Sequence, residues 1–414
     1  MRILAIHRYY WPDSPPYASL LRAIVAEWSS AGHDVTVLAG QPSYKVEARQ
    51  SRAASVEKVD GATVRRVRMR PDRTSRLRRL FNVGWFPVAV AVRVLLSRRQ
   101  DVVMCSTVPP VLLGWAVSLV ARVRGSKFVY HCMDLHPEIG RLSGDFSNAT
   151  LYRLLARLEL ATCRRASAIV VLSEDMRLAV LRRDPALADK LVVLTNFELP
   201  DFSEDSAESP LPASRSSALR IVFTGNIGRF QGLQEITRAV VESEAGLELV
   251  LMGEGAAKAE LQELVSRAPD KARSRVTFLA HGTSAEARAL METADLGLVS
   301  LSPSVIQYAF PSKTATYLGC GLPVLVAVEP SSSLAQLVTR NRVGWVVPVG
   351  DPSRARETLD AIVARRSDLS TMSRHAVDLW RDEFSADALL PRWRVLLDEL
   401  DSGKPSATSE RGAA

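Results

Sequence analysis

A glycine-rich turn between a predicted strand and a predicted helix is the first feature of this sequence that could do chemistry. Residues 219–223 form a short apolar run rich in β-branched and aromatic side chains, which predicts a buried strand. Gly225, Asn226 and Gly228 follow, and backbone can approach a ligand closely where no Cβ intervenes. Arg229 adds a guanidinium just before a helical pattern begins. Such a turn can hold a diphosphate, although turn geometry alone also explains two glycines.

A second group of residues with the same chemistry lies further along the chain. Ser312, Lys313 and Thr314 stand at a predicted helix start, where Ser312 is a suitable N-cap and free N–H groups are available to an anion. Residues 321–323, Gly-Leu-Pro, end this helix before another apolar run. The second half of the chain therefore contains two loops suited to an anion, and Arg229 and Lys313 give one positive charge to each.

Short β-rich runs alternate with helical patterns, which predicts βαβ units and parallel sheets. In the first half these runs lie at residues 2–7, 34–38, 101–105, 127–131 and 168–172. The pattern breaks at residues 198–218, which are rich in Ser, Pro and acids. It restarts with runs at residues 219–223, 247–252, 276–280, 296–299, 324–328 and 344–347. We predict an α/β protein with two doubly wound Rossmann-like domains facing across a cleft, with ligands at the carboxyl ends of the strands.

The same patterns give the predicted domain boundaries. They are a first Rossmann-like domain over residues 1–198, a linker over 199–218, a second Rossmann-like domain over 219–374, a C-terminal helix over 375–401 that crosses back to the first domain, and a disordered tail over 402–414.

Composition excludes several classes of protein. With 414 residues, 47% of them hydrophobic and 24% charged, the chain is long enough for two domains and is typical of a folded protein. Its four cysteines are far apart and form no C-x-x-C pair, which argues against a disulfide framework or a zinc site and fits a reducing compartment. The sequence has no D-x-D motif and no cluster with metal-ligand spacing, so we expect no metal and no other cofactor.

Residues 102–121 contain no charge and therefore need a test as a membrane span. Pro109 and Pro110 divide this segment, which favours a strand, a turn and a buried helix over a transmembrane helix. The apolar run in residues 1–7 is only as long as a strand, so we predict no signal peptide.

Positive charge is concentrated in the first half of the chain. Residues 1–200 carry 30 Lys and Arg against 17 Asp and Glu, whereas the remainder carries 23 against 28. Residues 65–99 hold eleven arginines and one acid, Asp72, around the largely apolar segment 80–96. A solvated basic face would explain the charge, but aromatic and aliphatic residues flanked by arginines favour peripheral contact with an anionic membrane surface. Because no base-stacking motif is present, we expect no nucleic-acid partner.

Taken together, the motifs resemble the retaining family-4 glycosyltransferases of the GT-B fold. The resemblance spans nearly the whole chain and is closest to the branch of bacterial surface-polysaccharide transferases, such as the N-acetylfucosaminyltransferases and colanic-acid transferases. The matching segments are residues 1–12, 31–37, 134–138, 225–228, 252–255 and 293–295, and the block from 311–313 to 321–324.

The sequence departs from the family pattern at several positions. Residues 14–16, Ser-Pro-Pro, replace the Gly-Gly pair that most members have in the first loop. The family's phosphate-binding lysine falls at Gln231, and its paired glutamates fall at Tyr308 and Thr316. A histidine common before the first-domain aspartate falls at Met133. We expect Lys313 to replace the cation that is lost at position 231.

The resemblance implies roles for individual residues. Arg229 and Lys313 would stabilise the departing diphosphate, and Asp134 would position the acceptor or accept its proton. The donor would be bound by Gly225, Asn226, Gly228, Gly253, Glu254, Tyr308, Ser312, Thr314 and Thr316, and the acceptor by Tyr9, Tyr10, His131 and His136. A surface ion pair for Arg229, a helix cap for Asp134 and packing for the histidines and tyrosines are the alternatives.

The resemblance implies a glycosyltransferase of hexosyl or N-acetylhexosaminyl type. It would move a sugar from a nucleotide-diphosphate donor to a glycan acceptor, including a polyprenyl-linked one, in bacterial polysaccharide or glycoconjugate biosynthesis. Transfer would retain the anomeric configuration without an enzyme nucleophile or a metal, at the inner face of the cytoplasmic membrane. A nucleotide-sugar epimerase of the same architecture and a non-catalytic glycan-binding protein are the alternatives.

Overall fold

The computed structural model describes residues 1–13, 15–42, 53–69, 76–144, 146–198 and 218–403. The chain divides into two units, each built on its own sheet. The first contains residues 1–200, 308–310 and 389–414, and the second contains residues 201–307 and 311–388. Ser14, nearly all of the predicted linker 199–218, residues 70–75 of the basic region and most of the predicted tail 402–414 lie outside the described residues.

The first unit has an eight-stranded sheet. Its elements in chain order are β1 (Arg2–Ile6), α1 (Pro16–Ser30), β2 (Asp34–Gly40), β3 (Val56–Val59), β4 (Ala62–Val67), α2 (Arg76–Leu96), β5 (Val102–Ser106), α3 (Leu112–Val123), β6 (Lys127–Cys132), α4 (Glu138–Leu142), α5 (Ala149–Arg165), β7 (Ala168–Val171), α6 (Glu174–Arg183) and β8 (Leu191–Val193). The strand order is β3-β4-β2-β1-β5-β6-β7-β8, and among the described strands only the β3–β4 pair is antiparallel.

Apolar strands place the core of this unit on the sheet. Leu4, Phe128 and Ile169 on the strands pack with Phe86 of α2 and Val117 of α3. Three strands, β3, β4 and β8, were not predicted from the sequence. Charged residues interrupt the apolar pattern of β3 and β4, and β3 lies at the edge of the sheet, where side chains meet water.

The second unit has a six-stranded, fully parallel sheet. Its elements are β9 (Leu219–Thr224), α7 (Leu233–Glu242), β10 (Leu247–Met252), α8 (Lys258–Ser266), α9 (Asp270–Arg273), β11 (Val276–Leu279), α10 (Ser284–Glu292), β12 (Leu296–Ser300), α11 (Lys313–Gly319), β13 (Val324–Ala327), α12 (Ser333–Asn341), β14 (Gly344–Val347), α13 (Pro352–Ala364) and α14 (Leu369–Leu379). The last helix, α15 (Ala386–Ser402), begins in this unit, but from Leu389 onward it belongs to the first unit. The order is β11-β10-β9-β12-β13-β14, so the direction of winding reverses between β9 and β12. The predicted α/β class with two parallel-sheet domains is confirmed.

A buried ion pair ties the strands together at the amino-terminal edge of this second sheet. Arg220 Nε donates to Glu248 Oε2 at 3.1 Å, so the pair links β9 to β10. Thr293 Oγ1 accepts from Arg220 Nη1 at 3.0 Å, and Asp295 Oδ2 accepts from the Arg220 backbone N at 2.8 Å. The Thr-Ala-Asp motif at residues 293–295 therefore has a structural role at this edge, because Thr293 accepts from the buried guanidinium of Arg220 and Asp295 accepts from its backbone N.

The predicted C-terminal helix over residues 375–401 is not one helix. It contains the end of α14, a π-helical turn over Trp380–Phe384, and α15. Ser385 separates the last two because its backbone is extended, and its hydroxyl accepts from Ala388 N at 3.1 Å. Ser385 therefore caps a new helix at a position where the hydrophobic periodicity predicted one continuous helix.

The uncharged segment 102–121 forms β5, a turn and most of α3, as predicted. Across the described ranges, no helix is long and apolar enough to cross a membrane.

Candidate functional site

Several loops leave the carboxyl edge of the second sheet beside the point where its winding reverses. They follow the neighbouring strands β10, β9, β12 and β13, and they include residues 253–257, 225–232, 301–312 and 328–332. In doubly wound sheets this edge is where ligands bind, because the loops there diverge to either side. Most of the predicted donor-binding residues lie in these loops.

The loops after β9 and β10 are joined by backbone hydrogen bonds. Gly225 N donates to Met252 O at 2.8 Å, and Ile227 N donates to Glu254 O at 2.9 Å. A Cβ on Gly253 would lie 1.8 Å from Gly225 O, a distance that no side chain can occupy. Gly253 also has φ +153°. Glycine is therefore required there to bring the two loops together, and both loops present backbone to the same space.

A turn of 3-10 helix over Arg229–Gln231 follows Gly228 and directs Arg229 outward. Its carbonyl oxygens are held by the loop after β12, since Ser302 Oγ donates to Arg229 O at 2.9 Å and Ser302 N donates to Phe230 O at 2.7 Å. Gly232 ends the turn in the left-handed region at φ +54°, directly before α7. The backbone of Arg229 is thus fixed while its side chain is exposed.

The ammonium of Lys313 lies against the loop that follows β9. Its Nζ lies 4.7 Å from the centroid of the Phe223 ring, and a Cβ on Gly225 would be only 3.2 Å from the same Nζ. Burial lowers the pKa of Lys313 to about 8 because the ammonium loses solvation. Among the described residues neither Lys313 nor Arg229 forms a salt bridge. Two cations therefore lie at one sheet edge, and no carboxylate in the described part of the chain neutralises them.

Tyr317 of α11 fixes the end of β9 below this site. Its hydroxyl accepts a hydrogen bond from Thr224 N at 3.1 Å, and its ring lies over Gly297 of β12, where a Cβ would be 2.5 Å from the ring. Sequence reasoning gave Tyr317 no role. Its place within the block of residues 311–324 that carries the resemblance was the available signal.

The remaining predicted donor residues of the second unit have different environments. Ser312 occupies the N-cap position of α11, but its side chain makes no capping hydrogen bond because its backbone is already helical, so the predicted cap is wrong. Thr314 is fully buried, and its hydroxyl has no partner among the described residues. Thr316 is half-buried. Glu254 pairs with Lys258 at 2.6 Å, and Lys258 also donates to Gly253 O at 2.9 Å, so this lysine secures the second loop.

Asp134 lies at the carboxyl end of β6 in the first unit. Leu135 N donates to Tyr308 O at 2.8 Å, and Asp134 forms an isolated bridge with Ala309. Tyr308 and Phe310 pack against the core of this unit. The structure therefore places Tyr308 in the same unit as Asp134, whereas the other predicted donor residues belong to the second unit. Burial raises the pKa of Asp134 to about 6, so its carboxylate is basic enough to take a proton near neutral pH.

Histidines at the same edge of the first sheet are buried. His131 Nδ1 lies 3.0 Å from the Tyr17 hydroxyl, and its ring packs on Trp393 at 4.9 Å between centroids. His7, at the end of β1, bonds to Ser106. Burial lowers the pKa of both histidines to about 3, so both rings are neutral.

The other predicted acceptor residues differ in access. Tyr10 is fully buried, and burial raises its pKa above the usual range. Tyr9 is half-buried beside the Arg8 guanidinium, which lies 5.3 Å from its ring centroid. His136 is half-buried; its backbone oxygen accepts from Arg183 at 3.0 Å, and burial together with that arginine lowers its pKa to about 4. No group of three His, Cys, Asp or Glu in the described ranges could hold a metal ion.

Comparison with known proteins identifies relatives of both units. A family model described as a glycosyl transferase 4-like domain matches residues 17–196, and one described as glycosyl transferases group 1 matches residues 218–365. The chain is 26% identical over 294 residues to a probable glycosyltransferase, WbjE of Pseudomonas aeruginosa, covering 69% of this chain and 71% of WbjE.

Two further proteins extend these similarities. A putative colanic acid biosynthesis glycosyl transferase of Escherichia coli K12, WcaI, is 23% identical over 355 residues, covering 81% of this chain and 86% of WcaI. The crystal structure of Anabaena HepE in complex with UDP-glucose superposes with a TM-score of 0.67 at 14% identity, covering 96% of this chain and all of HepE. The last similarity is one of fold.

Proposed function

Since the chain belongs to the family-4 glycosyltransferases of the GT-B fold, we propose that its second unit binds a nucleotide-diphosphate sugar for transfer to a glycan acceptor with retention. The protein is a glycosyltransferase of polysaccharide biosynthesis. The observation that carries the donor proposal is the pair of cations, Arg229 and Lys313, beside two interlocked glycine loops. UDP-glucose bound to HepE, a protein of the same fold, is consistent with it.

The chemistry of the leaving group explains why these two cations matter. When the bond between the sugar and the diphosphate breaks, negative charge develops on the diphosphate oxygens. Preorganised cations and backbone N–H groups stabilise that charge most where water is excluded. Burial lowers the pKa of Lys313 to about 8, and a diphosphate beside it would stabilise the charged ammonium. Arg229 would add a planar donor from the exposed side of the loop.

Asp134 is the proposed proton acceptor for the acceptor hydroxyl. Its carboxylate makes no side-chain hydrogen bond among the described residues, while its backbone is fixed by Ala309. A carboxylate with a pKa of about 6 is ionised at neutral pH yet more basic than an exposed aspartate. The buried His131 and Tyr10 are better suited to support this edge than to contact a glycan.

We further propose a deoxy or N-acetylated hexose as the donor sugar. Family members use two glutamates where this chain has Tyr308 and Thr316, and carboxylates suit a sugar with many hydroxyls. A phenol or a backbone group suits a sugar in which a hydroxyl is missing or acylated. A donor screen across nucleotide sugars tests this, and preference for glucose or mannose would contradict it.

The protein is also proposed to work at the inner face of the cytoplasmic membrane, on an acceptor that includes polyprenyl-linked glycans. Support comes from α2, which presents apolar side chains to solvent within the arginine-rich region 65–99. The exposed residues on this helix are Leu77, Leu80, Phe81, Trp85, Val88, Val92, Leu95 and Leu96. An amphipathic helix flanked by arginines suits the boundary of an anionic bilayer.

Transfer assays with purified variants test the proposed activity. Arg229→Ala and Lys313→Ala should each abolish turnover while leaving the circular dichroism spectrum and the melting temperature close to wild type. Arg238→Ala and Lys271→Ala remove exposed cations elsewhere in the same unit and should leave turnover unchanged. Wild-type turnover in either of the first two variants would refute the assignment.

A further inference from the structure

A cavity of about 840 Å³ lies in the first unit, away from the carboxyl ends that carry Asp134 and His7. Its floor is one face of β1, β2 and β4, where Arg2 pairs with Asp34 and Thr36 pairs with Thr63 in the strand register. The last turn of α2 and the residues after it, from Arg93 to Gln100, form the opposite wall. Since Arg2 and Asp34 begin their strands, the cavity opens at the amino-terminal edge of the sheet.

Arginine dominates the charge of this cavity. Five arginines line it, Arg2, Arg65, Arg66, Arg93 and Arg98, against one acid, Asp34. Arg66 is neutralised by Glu57 at 2.5 Å. Within the described ranges the other four form no salt bridge. A concave site with an excess of guanidinium groups attracts an anion, and the arginine fork matches the oxygens of a phosphate group.

The rim of the cavity continues into an apolar surface. Leu96 lines the cavity and is 80% exposed at the end of α2. From there the exposed side chains of the same helix continue at helical spacing through Val92, Val88 and Trp85. Soluble surfaces rarely keep such a contiguous apolar stripe in water. An anion site beside an apolar stripe fits a ligand with a charged head and a hydrocarbon chain.

We propose that this cavity binds the phosphate group of an anionic phospholipid while α2 lies in the acyl region of the leaflet. The inference rests on the proposed membrane contact and gives it a specific headgroup site. The arginines would hold the phosphate in the cavity, and the apolar residues of α2 would contact the acyl chains of the lipid. Contact of this kind would set the orientation of the first unit on the membrane rather than only its concentration there.

Vesicle flotation tests the inference without any sugar donor. Wild-type protein should bind vesicles of phosphatidylcholine mixed with phosphatidylglycerol and bind those of phosphatidylcholine alone weakly. The triple variant Arg65→Gln, Arg93→Gln, Arg98→Gln should lose about 100-fold in affinity for the anionic vesicles, since each interfacial arginine contributes about fivefold. A matched triple variant in the second unit, Arg238→Gln, Arg354→Gln, Arg356→Gln, removes the same charge from exposed positions and should lose less than about threefold.

Equal loss in the two triple variants would overturn the site, because net charge alone would then explain binding. A second variant set, Leu80→Ser, Val88→Ser, Leu96→Ser, should also lose vesicle binding. If the cavity instead takes a free phosphate compound, inorganic phosphate will bind by calorimetry with dependence on the three arginines while vesicle binding stays unchanged; that result contradicts the proposal.

Failure of this inference is distinguishable from failure of the proposed function. Arg229→Ala and Lys313→Ala should bind vesicles like wild type, because neither residue lines the cavity. Absence of wild-type binding to anionic vesicles would reject the membrane contact as a whole. Binding by wild type that persists in the arginine triple variant would reject only the headgroup site.

Discussion

The carboxyl edges of the two sheets have opposite electrostatic character. At the edge of the second sheet, Arg229 and Lys313 lie beside glycine loops, and neither pairs with a carboxylate of the residues that the structure describes. At the edge of the first sheet, His7 and His131 are neutral because burial lowers the pKa of each to about 3, and the acid Asp134 has a raised pKa of about 6. One edge is therefore suited to bind an anion, and the other to orient a neutral hydroxyl and take its proton.

This contrast arises from backbone as much as from side chains. The second edge uses glycine so that two loops meet through their peptide groups, as Gly253 and Gly225 do. The first edge is filled with aromatic rings, such as Tyr17 and Trp393 around His131. Charged ligands need accessible N–H groups, whereas a proton acceptor needs a dry and rigid surrounding.

The largest expected effect comes from closing the space between the glycine loops. Gly253→Ala puts a Cβ 1.8 Å from Gly225 O, so the loops must separate. We expect nucleotide affinity to fall by about 100-fold or more, with a loss of several kcal/mol in unfolding free energy. Calorimetry with nucleoside diphosphates and thermal denaturation measure the two quantities. Gly350→Ala is the matched control, since Gly350 also has positive φ, +86°, but open space around it. Equal effects from both variants would show that backbone strain, not loop contact, is responsible.

A smaller effect is expected from the pH dependence of diphosphate affinity at the carboxyl edge of the second sheet. The pKa of Lys313 is lowered to about 8 in the free protein, and a bound diphosphate would favour the protonated amine. Affinity should be constant from pH 7 to 7.5 and weaken as pH rises above 8, approaching about tenfold per pH unit because binding then requires proton uptake. Lys313→Arg keeps its charge and should remove this dependence. A wild-type profile that stays flat to pH 9.5 would contradict a contact between Lys313 and the diphosphate.

The smallest effect is expected at the carboxyl edge of the first sheet, where activity should fall as pH decreases rather than as it increases. Asp134 must be ionised to accept a proton, and its pKa of about 6 lies above the ordinary aspartate value. The kcat/KM value should therefore fall as pH drops through 6, about threefold by pH 5.6, while nucleotide affinity is unchanged. Asp134→Asn should be slow at every pH and lack this limb. Near-normal rates in that variant would indicate that Asp134 acts only through its backbone bridge to Ala309.

Local signals were sufficient to predict much of this architecture. The alternation of apolar runs and helical patterns predicted both sheets, and Gly225, Gly228 and Arg229 were identified because they follow one strand directly. These features depend on residues that are close in sequence, so hydrophobic periodicity and turn residues are enough to predict them.

Contacts between distant residues were beyond such reasoning. Lys313 contacts Phe223, which is far from it in the chain, and neither local sequence predicts this contact. Tyr308 was assigned to the donor domain from its sequence neighbours, yet its backbone bonds to Leu135 in the first unit. The arginine-lined cavity likewise depends on strand register and on where α2 ends. These contacts are determined by tertiary packing, and hydrophobic periodicity carries no information about them.

Calorimetric titration of a nucleoside diphosphate panel into wild type, Arg229→Ala and Lys313→Ala tests the central claim most directly. We predict that at least one diphosphate binds wild type at pH 7.5 and that each substitution weakens that binding by about tenfold to 100-fold, since each removes a charge-assisted contact. Unchanged affinity in both variants would contradict the claim that these two cations form the diphosphate site.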